Sequence, residues 1–336
     1  MNSEQLIETA KALIVGKKGI LAADESSNTI KKRFDSIGID STETTRRDYR
    51  QMLFETEGID SFISGVILFD ETMRQESSDG DLLVSKIVAQ GIIPGIKVDK
   101  GAKGLAGSRG ETITEGLDGL RGRLNEYYEL GARFTKWRGV LSVGKNSPTS
   151  YCVETNAHAL ARFAALSQEA NLVPIVEPEI LMDGEHGIDA CYAATTYVLR
   201  EVYAHLSRQN ILLEGTLLKP NMVLSGKDAT YRVDAGHVAK FTVECLLEAV
   251  PAQVPGIVFL SGGQSDEEAT VNLNAINQFA TDKGVPWELS FSYGRGLQSA
   301  PLKAWNGSTD NLQSAQRSFY QRCEVTSLAR RGLYNS

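Results

Sequence analysis

Cysteine and histidine are both scarce, with only four of each in 336 residues. Cys152, Cys191, Cys245 and Cys323 are widely scattered and form no C-x-x-C pair, which argues against a disulfide framework or a thiolate metal knuckle. They read as buried structural thiols. His158, His186, His205 and His237 lie far apart, in no H-E-x-x-H or comparable spacing, so zinc chemistry finds no support. Carboxylates can still hold magnesium, so this spacing speaks against zinc more than against every metal. No Walker or dinucleotide glycine fingerprint follows an early strand, and no cofactor is expected. Long hydrophobic runs are missing as well. The opening MNSEQLIETAKALIVGKKG sets an acid and amides before a four-residue apolar run, too short for a signal-peptide core or a membrane span. A cytoplasmic location without a membrane partner is the expectation. Positive charge is also in deficit, with 35 Lys and Arg against 42 Asp and Glu, a net charge of −7. That balance disfavours a nucleic-acid partner but leaves room for a local basic cluster that takes an anionic substrate.

No Pro/Gly/Ser-rich linker or low-complexity tract divides the chain, and 42% hydrophobic content suffices for a large core. What recurs is a pattern: short apolar runs roughly forty residues apart, each followed by a stretch of helical periodicity, as in successive βα units. The runs are GILAAD from Gly19, GVILFD from Gly65, IPGIKVD from Ile93, FTKWR from Phe134, VPIVEPEI from Val173, TLLKPN from Thr216, IVFLSGG from Ile257 and LSFSYGR from Leu289. Eight such units predict an α/β fold, a single (β/α)8 TIM barrel over 1–336, with a short helical lead-in and a short tail after about residue 330. An open doubly wound sheet would use the same strands. Between the runs, Leu117, Leu120, Leu124 and Tyr128 predict a helical face that stops at Gly131. Ser265 and Glu268 have capping-box spacing ahead of Ala269, Leu273, Ile276 and Ala280, and Leu312, Ala315, Phe319 and Cys323 repeat the periodicity near the end.

Polar residues gather at the C-terminal ends of these runs: Asp24, Asp70, Lys97, Lys136 with Arg138, Glu177 with Glu179, Lys219, Ser261 and Arg295. In a β/α barrel that end is the catalytic face. Residues two apart on a strand point the same way, so Lys136 pairs with Arg138 and Glu177 with Glu179 on shared faces. Paired carboxylates beside cations suit acid–base chemistry, although an ion-pair network without chemistry would look the same. Lys219 follows Leu217 and Leu218 and precedes Pro220, so apolar atoms should enclose its stem. Desolvation and a neighbouring lysine favour a neutral amine, able to attack a ketone and form an iminium. An isolated strand-end lysine is more commonly a salt-bridged structural residue. Gly262 and Gly263, just before a helix, with Ser292, Gly294 and Arg295, suit phosphate binding after the last two strands. Thr29, Arg33, Arg46 and Lys97 form a second basic cluster, though Arg33 and Arg46 taken singly read as solvated helix residues. Two anion sites suit a bisphosphate.

The ordered segments GILAADES, GIKVDKG, TKWRGVL, PIVEPEIL, LEGTLLKPNMV, FLSGGQS and SYGRGLQ, from about Gly16 to about Arg330, resemble the class I fructose-bisphosphate aldolases. The resemblance implies a metal-independent lyase that cleaves fructose 1,6-bisphosphate reversibly to dihydroxyacetone phosphate and glyceraldehyde 3-phosphate. It implies Lys219 as the Schiff-base lysine, Glu177 and Glu179 as acid–base carboxylates, Asp24 as the strand-one aspartate, Lys136 as an aid to iminium formation and Arg138 as a substrate ligand. By the same matching Ser261, Gly262, Gly263, Ser292, Gly294 and Arg295 belong to the 1-phosphate site. Thr29, Arg33 and Lys97 belong to the 6-phosphate end, and Arg46 and Arg322 to further basic positions. A homotetramer is the common assembly among such relatives. Many animal members end in a terminal tyrosine, whereas this sequence reads GLYNS, so Tyr334 receives no such role. A transaldolase or another Schiff-base aldolase acting on a monophosphate, or a non-catalytic sugar-phosphate binder, would share part of this pattern.

Overall fold

The computed structural model describes residues 1–335. Its strands are β1 (Gly19–Ala23), β2 (Ile63–Leu68), β3 (Ile93–Lys97), β4 (Ala102–Gly104), β5 (Thr112–Thr114), β6 (Phe134–Leu141), β7 (Val173–Ile180), β8 (Leu217–Leu218), β9 (Gly256–Phe259) and β10 (Glu288–Tyr293). Eight of them close a parallel barrel in the order β1-β10-β9-β8-β7-β6-β3-β2, and these are the eight apolar runs. The closed barrel replaces the open-sheet alternative. β4 and β5 form a separate antiparallel hairpin with no counterpart in the sequence expectations. β4 is exposed along its length, β5 alternates threonine with a single isoleucine, and both are too short to leave an apolar signature.

Alternation along the strands sorts the barrel interior into layers. Ile20, Ala22, Ile67, Phe134, Val173, Ile175, Leu217 and Val258 make one buried apolar cluster. Leu6, Ala10 and Leu13 from the helix Ser3–Leu13, with Ile14 just past it, join the same cluster. That helix forms because Asn2 caps it by accepting from the Gln5 N–H, while Leu6, Ala10 and Leu13 share one face. It plugs the N-terminal mouth. Two residues further along each strand the inward position turns polar: Ala22 leads to Asp24, Phe134 to Lys136, Ile175 to Glu177 and Leu217 to Lys219. Charged groups are thereby confined to the open C-terminal mouth.

Close packing below that mouth needs glycine at one point in particular. A Cβ built on Gly95 would stand 2.3 Å from the Phe134 ring. Gly95→Ala should therefore lower stability by about 1–3 kcal/mol, the usual range for overpacking. Thermal melts should show a fall that Phe134→Leu partly reverses in the double variant. Simple addition of two losses would contradict this account.

The outer helices depart from expectation in one place. The helix Leu120–Glu129 begins after Leu117 and buries Leu120, Leu124 and Tyr127, leaving Tyr128 half-buried beside the Arg133 guanidinium, which lies 4.5 Å from its ring. A face of Leu120, Leu124 and Tyr127 still has the i, i+4, i+7 spacing; the aromatic neighbour was the ambiguous choice. The Asp266–Lys283 helix is capped by Ser265 as expected and buries Ala269, Leu273, Ile276 and Ala280. Its Glu268 does not reach back to complete the box, because Arg232 engages it. In the Leu312–Arg330 helix Ala315, Phe319 and Cys323 are buried, whereas Leu312 stays exposed at the first position.

Candidate active site

A cavity of about 530 Å³ opens at the C-terminal mouth. Its lining includes seven cations, Lys32, Arg33, Lys97, Lys136, Arg138, Lys219 and Arg295, against four carboxylates, Asp24, Glu25, Glu177 and Glu179. A positive excess inside a protein of net charge −7 marks the cavity as a receptor for anions.

At the floor, Lys136 and Lys219 are each buried to within 5% of full enclosure. Strand pairing sets their approach: Lys136 lies opposite Ile175 on β7, and the Lys219 N–H donates to the Val176 carbonyl at 2.8 Å, which fixes the residue just past β8. Glu177 joins the two lysines, with Oε1 3.2 Å from Lys219 Nζ and Oε2 3.4 Å from Lys136 Nζ. Lys136 also pairs with Asp24 at 2.7 Å. Burial would raise the Asp24 pKa, yet the charges of Lys136 and Lys219 overcome it and hold the carboxyl well below its ordinary range. Burial would likewise lower that of Lys136, but Asp24 and Glu177 keep it above the usual lysine range. Asp24 is thus a fixed carboxylate and Lys136 a fixed ammonium. Arg138 closes the side of the cavity in an ion pair with Glu179.

Two glycine-bearing segments meet across the mouth. Gly262 and Gly263 precede the Ser265-capped helix, and Gly294 opens the helix Arg295–Trp305. Gly263 has φ +79°, and a Cβ there would strike Met182 Sδ at 2.7 Å, so only glycine follows this path. Ser261 is buried, its Oγ accepting from the Gly296 N–H at 3.4 Å. The Ser292 hydroxyl is buried with no protein partner, an unmet need that an anion oxygen would fill. Next to the Gly294 segment, after the neighbouring strand β1, the helix Ser27–Asp35 carries Thr29, Lys32 and Arg33, with the hydroxyls of Ser26 and Thr29 3.1 Å apart. Lys97 lies further round the rim, 2.6 Å from Asp99 Oδ1.

The cavity thus brings together Asp24, Thr29, Arg33, Lys97, Lys136, Arg138, Glu177, Glu179, Lys219, Ser261, Gly262, Ser292, Gly294 and Arg295. Two basic residues from the sequence stand outside its lining. Arg46 is spent on Glu71, at 2.5 and 2.8 Å, and on the Ser41 carbonyl. Arg322 donates to the carbonyls of Gly296 and Asp266 and to Thr270, stapling together the helices behind the phosphate-type segments. Asp70 begins the helix Asp70–Arg74, paired with Arg74, and Tyr334 is tied by its N–H to Asn274; neither lines the cavity. Sequence reasoning passed over Glu25, Ser26, Lys32 and Ser36. Ser26 was within reach, because it stands at the N-cap position of a helix, two residues after Asp24 and three before Thr29. Among the described residues no cluster of three or more His, Cys, Asp or Glu has the makings of a metal site.

A closed parallel barrel with a charged cavity at its C-terminal mouth is the architecture of a β/α-barrel enzyme. The family model for class I fructose-bisphosphate aldolase matches residues 5–336. A probable class 1 fructose-bisphosphate aldolase of Xanthomonas campestris is 53% identical over 333 residues, 99% of each chain. The cytosolic fructose-bisphosphate aldolase 4 of Arabidopsis thaliana is 53% identical over 330 residues, 98% of this chain and 84% of its own. The Plasmodium falciparum aldolase, solved in complex with TRAP and a small-molecule inhibitor, superposes with a TM-score of 0.97 at 48% identity, covering 99% of this chain and 96% of that one. The chain belongs to the class I fructose-bisphosphate aldolases. It is a carbon–carbon lyase of the Schiff-base class.

Proposed function

We propose that Lys219 is the lysine that forms the iminium with fructose 1,6-bisphosphate, in a cavity where Glu177 links it to Lys136. The observation that carries this reading is the buried carboxylate within 3.4 Å of both ammonium groups, above an apolar barrel layer. Lys219 passes a proton to Glu177, and its free amine adds to the ketone carbon. Lys136, held as ammonium, steadies the developing alkoxide. Glu177, with Glu179 beside Arg138, returns a proton as the carbinolamine hydroxyl leaves as water. Asp24, kept ionised, accepts a hydrogen bond from the 4-hydroxyl and helps draw off its proton, which passes to the Glu177 carboxylate as the bond between carbons 3 and 4 breaks, and the electron pair runs into the iminium. Glyceraldehyde 3-phosphate departs, and the enamine is protonated and hydrolysed to dihydroxyacetone phosphate. In this reading Ser261, Gly262, Gly263, Ser292, Gly294 and Arg295 take the 1-phosphate, and Thr29 and Lys97 the 6-phosphate.

Reduction with borohydride in the presence of dihydroxyacetone phosphate, followed by peptide mass mapping, tests the assignment. The expected result is one adduct, on Lys219. An adduct on another lysine, or none, would sink it. We further propose action in the cytosol, supported by the cytosolic relative, and a homo-oligomer, tetrameric by family resemblance; sedimentation tests the latter.

A further inference from the structure

We propose that Glu25 is a positioning residue that aims the Arg33 guanidinium at the phosphate taken by the Gly294 end of the cavity, an inference that rests on the aldolase reading above. Glu25 follows Asp24 directly and is only 6% exposed. Its Oε1 lies 2.5 Å from Arg33 Nη1 and accepts from Gln298 Nε2 at 2.9 Å. Gln298 is itself pinned, donating to the Ala22 carbonyl at 2.7 Å and accepting from the Tyr49 hydroxyl at 3.2 Å. Arg50 Nη2 holds the Glu25 carbonyl at 2.8 Å. The carboxylate therefore has its place set by β1 and by two helices, Glu43–Phe54 and Arg295–Trp305.

Arg33, by contrast, is fixed by charge alone. Its ion pair with Glu25 is close, yet no N–H of the guanidinium points along a good hydrogen bond to any described residue, and Nη1 is buried without one. Glu25 engages the buried Nη1, so what stays available for an anion is the rest of the fork, Nη2 included. Where the fork lies decides which anion. A Cβ on Gly294 would stand 3.4 Å from Arg33 Nη2 and 3.3 Å from the Ala22 carbonyl, so the guanidinium faces the segment that carries Ser292 and Arg295. This is a different end of the cavity from the 6-phosphate position implied by resemblance. Arg33 then serves the phosphate that fructose 1-phosphate and the bisphosphate share, while Lys97, anchored on Asp99, serves the one only the bisphosphate has.

Glu25→Gln keeps the shape and the bond to Gln298 but removes the charge that holds Arg33. Its KM should rise roughly tenfold for both fructose 1,6-bisphosphate and fructose 1-phosphate, the scale of one charge-assisted contact, with kcat within about twofold. Lys97→Ala should raise KM for the bisphosphate alone. In an Arg33→Ala background Glu25→Gln should add nothing, which separates positioning from loosened folding. A rise confined to the bisphosphate, no rise, or an undiminished effect without Arg33 would overturn the proposal. Titration with inorganic phosphate keeps the two readings apart. Weaker phosphate binding by Glu25→Gln, in a protein whose wild type cleaves no ketose phosphate, would sustain the positioning role and overturn the aldolase reading.

Discussion

Lys219→Arg should fold like the wild type, bind phosphate normally and lose turnover by at least about 10⁴-fold, because the amine proposed to make the covalent intermediate is gone. The substitution keeps a positive charge 3.2 Å from Glu177, so the carboxylate retains a partner and the barrel floor is not left with an uncompensated charge. Guanidinium stays protonated at any accessible pH and is no nucleophile. The loss is therefore chemical rather than structural. Single-turnover assays with borohydride trapping give the decisive readout: no adduct at position 219, with phosphate affinity unchanged. Residual turnover within tenfold of wild type would mean that the iminium forms elsewhere, and attention would pass to Lys136, the other buried lysine on the floor.

Legibility in the sequence followed the physics of each feature. The barrel strands were plain because parallel strands buried on both sides leave continuous apolar runs, and β8 shows the limit of that signal, with two paired residues sufficing to close the ring. Lys219, Lys136, Glu177 and Glu179 could be placed because a strand has a fixed alternation and a barrel has one open end. Arg46, Arg322 and Glu25 could not, since the partner a long side chain finds across the fold is a tertiary fact. Arg46 and Arg33 look alike as helix arginines, yet one is spent on Glu71 and the other points its fork toward Gly294. Glu25 reads as a wet loop acid beside Asp24 until Gln298, 273 residues away, is seen to hold it.

Removing the fixed ammonium on the floor should have the second large effect. Lys136→Met keeps most of the volume but strips Asp24 of its 2.7 Å partner and Glu177 of one of its two cations. Cleavage should fall at least about 10³-fold, as expected when a preorganised charge leaves a water-poor site. Stability at pH 8 should fall by about 3–5 kcal/mol, the usual cost of orphaning a buried charge. The pH dependence carries the sharper test. In the wild type, Asp24 has a folded pKa below its ordinary 3.8, so its contribution is complete above that value and fades only as pH falls toward the lower one. Lys136, raised above 10.5, contributes fully below that value and loses its contribution only as pH rises through the folded pKa. Wild-type stability is thus insensitive to this pair between those limits. In Lys136→Met, burial, the largest influence on Asp24, acts against less opposition and pushes its carboxyl upward. A folded pKa above the unfolded one makes the ionised form a burden that protonation relieves, so the variant should recover stability as pH falls toward 5. Thermal melts of both proteins at pH 5 and pH 8 should show the gap narrowing at the acid end; an equal gap at both would mean that Lys136 does not act by holding Asp24 ionised.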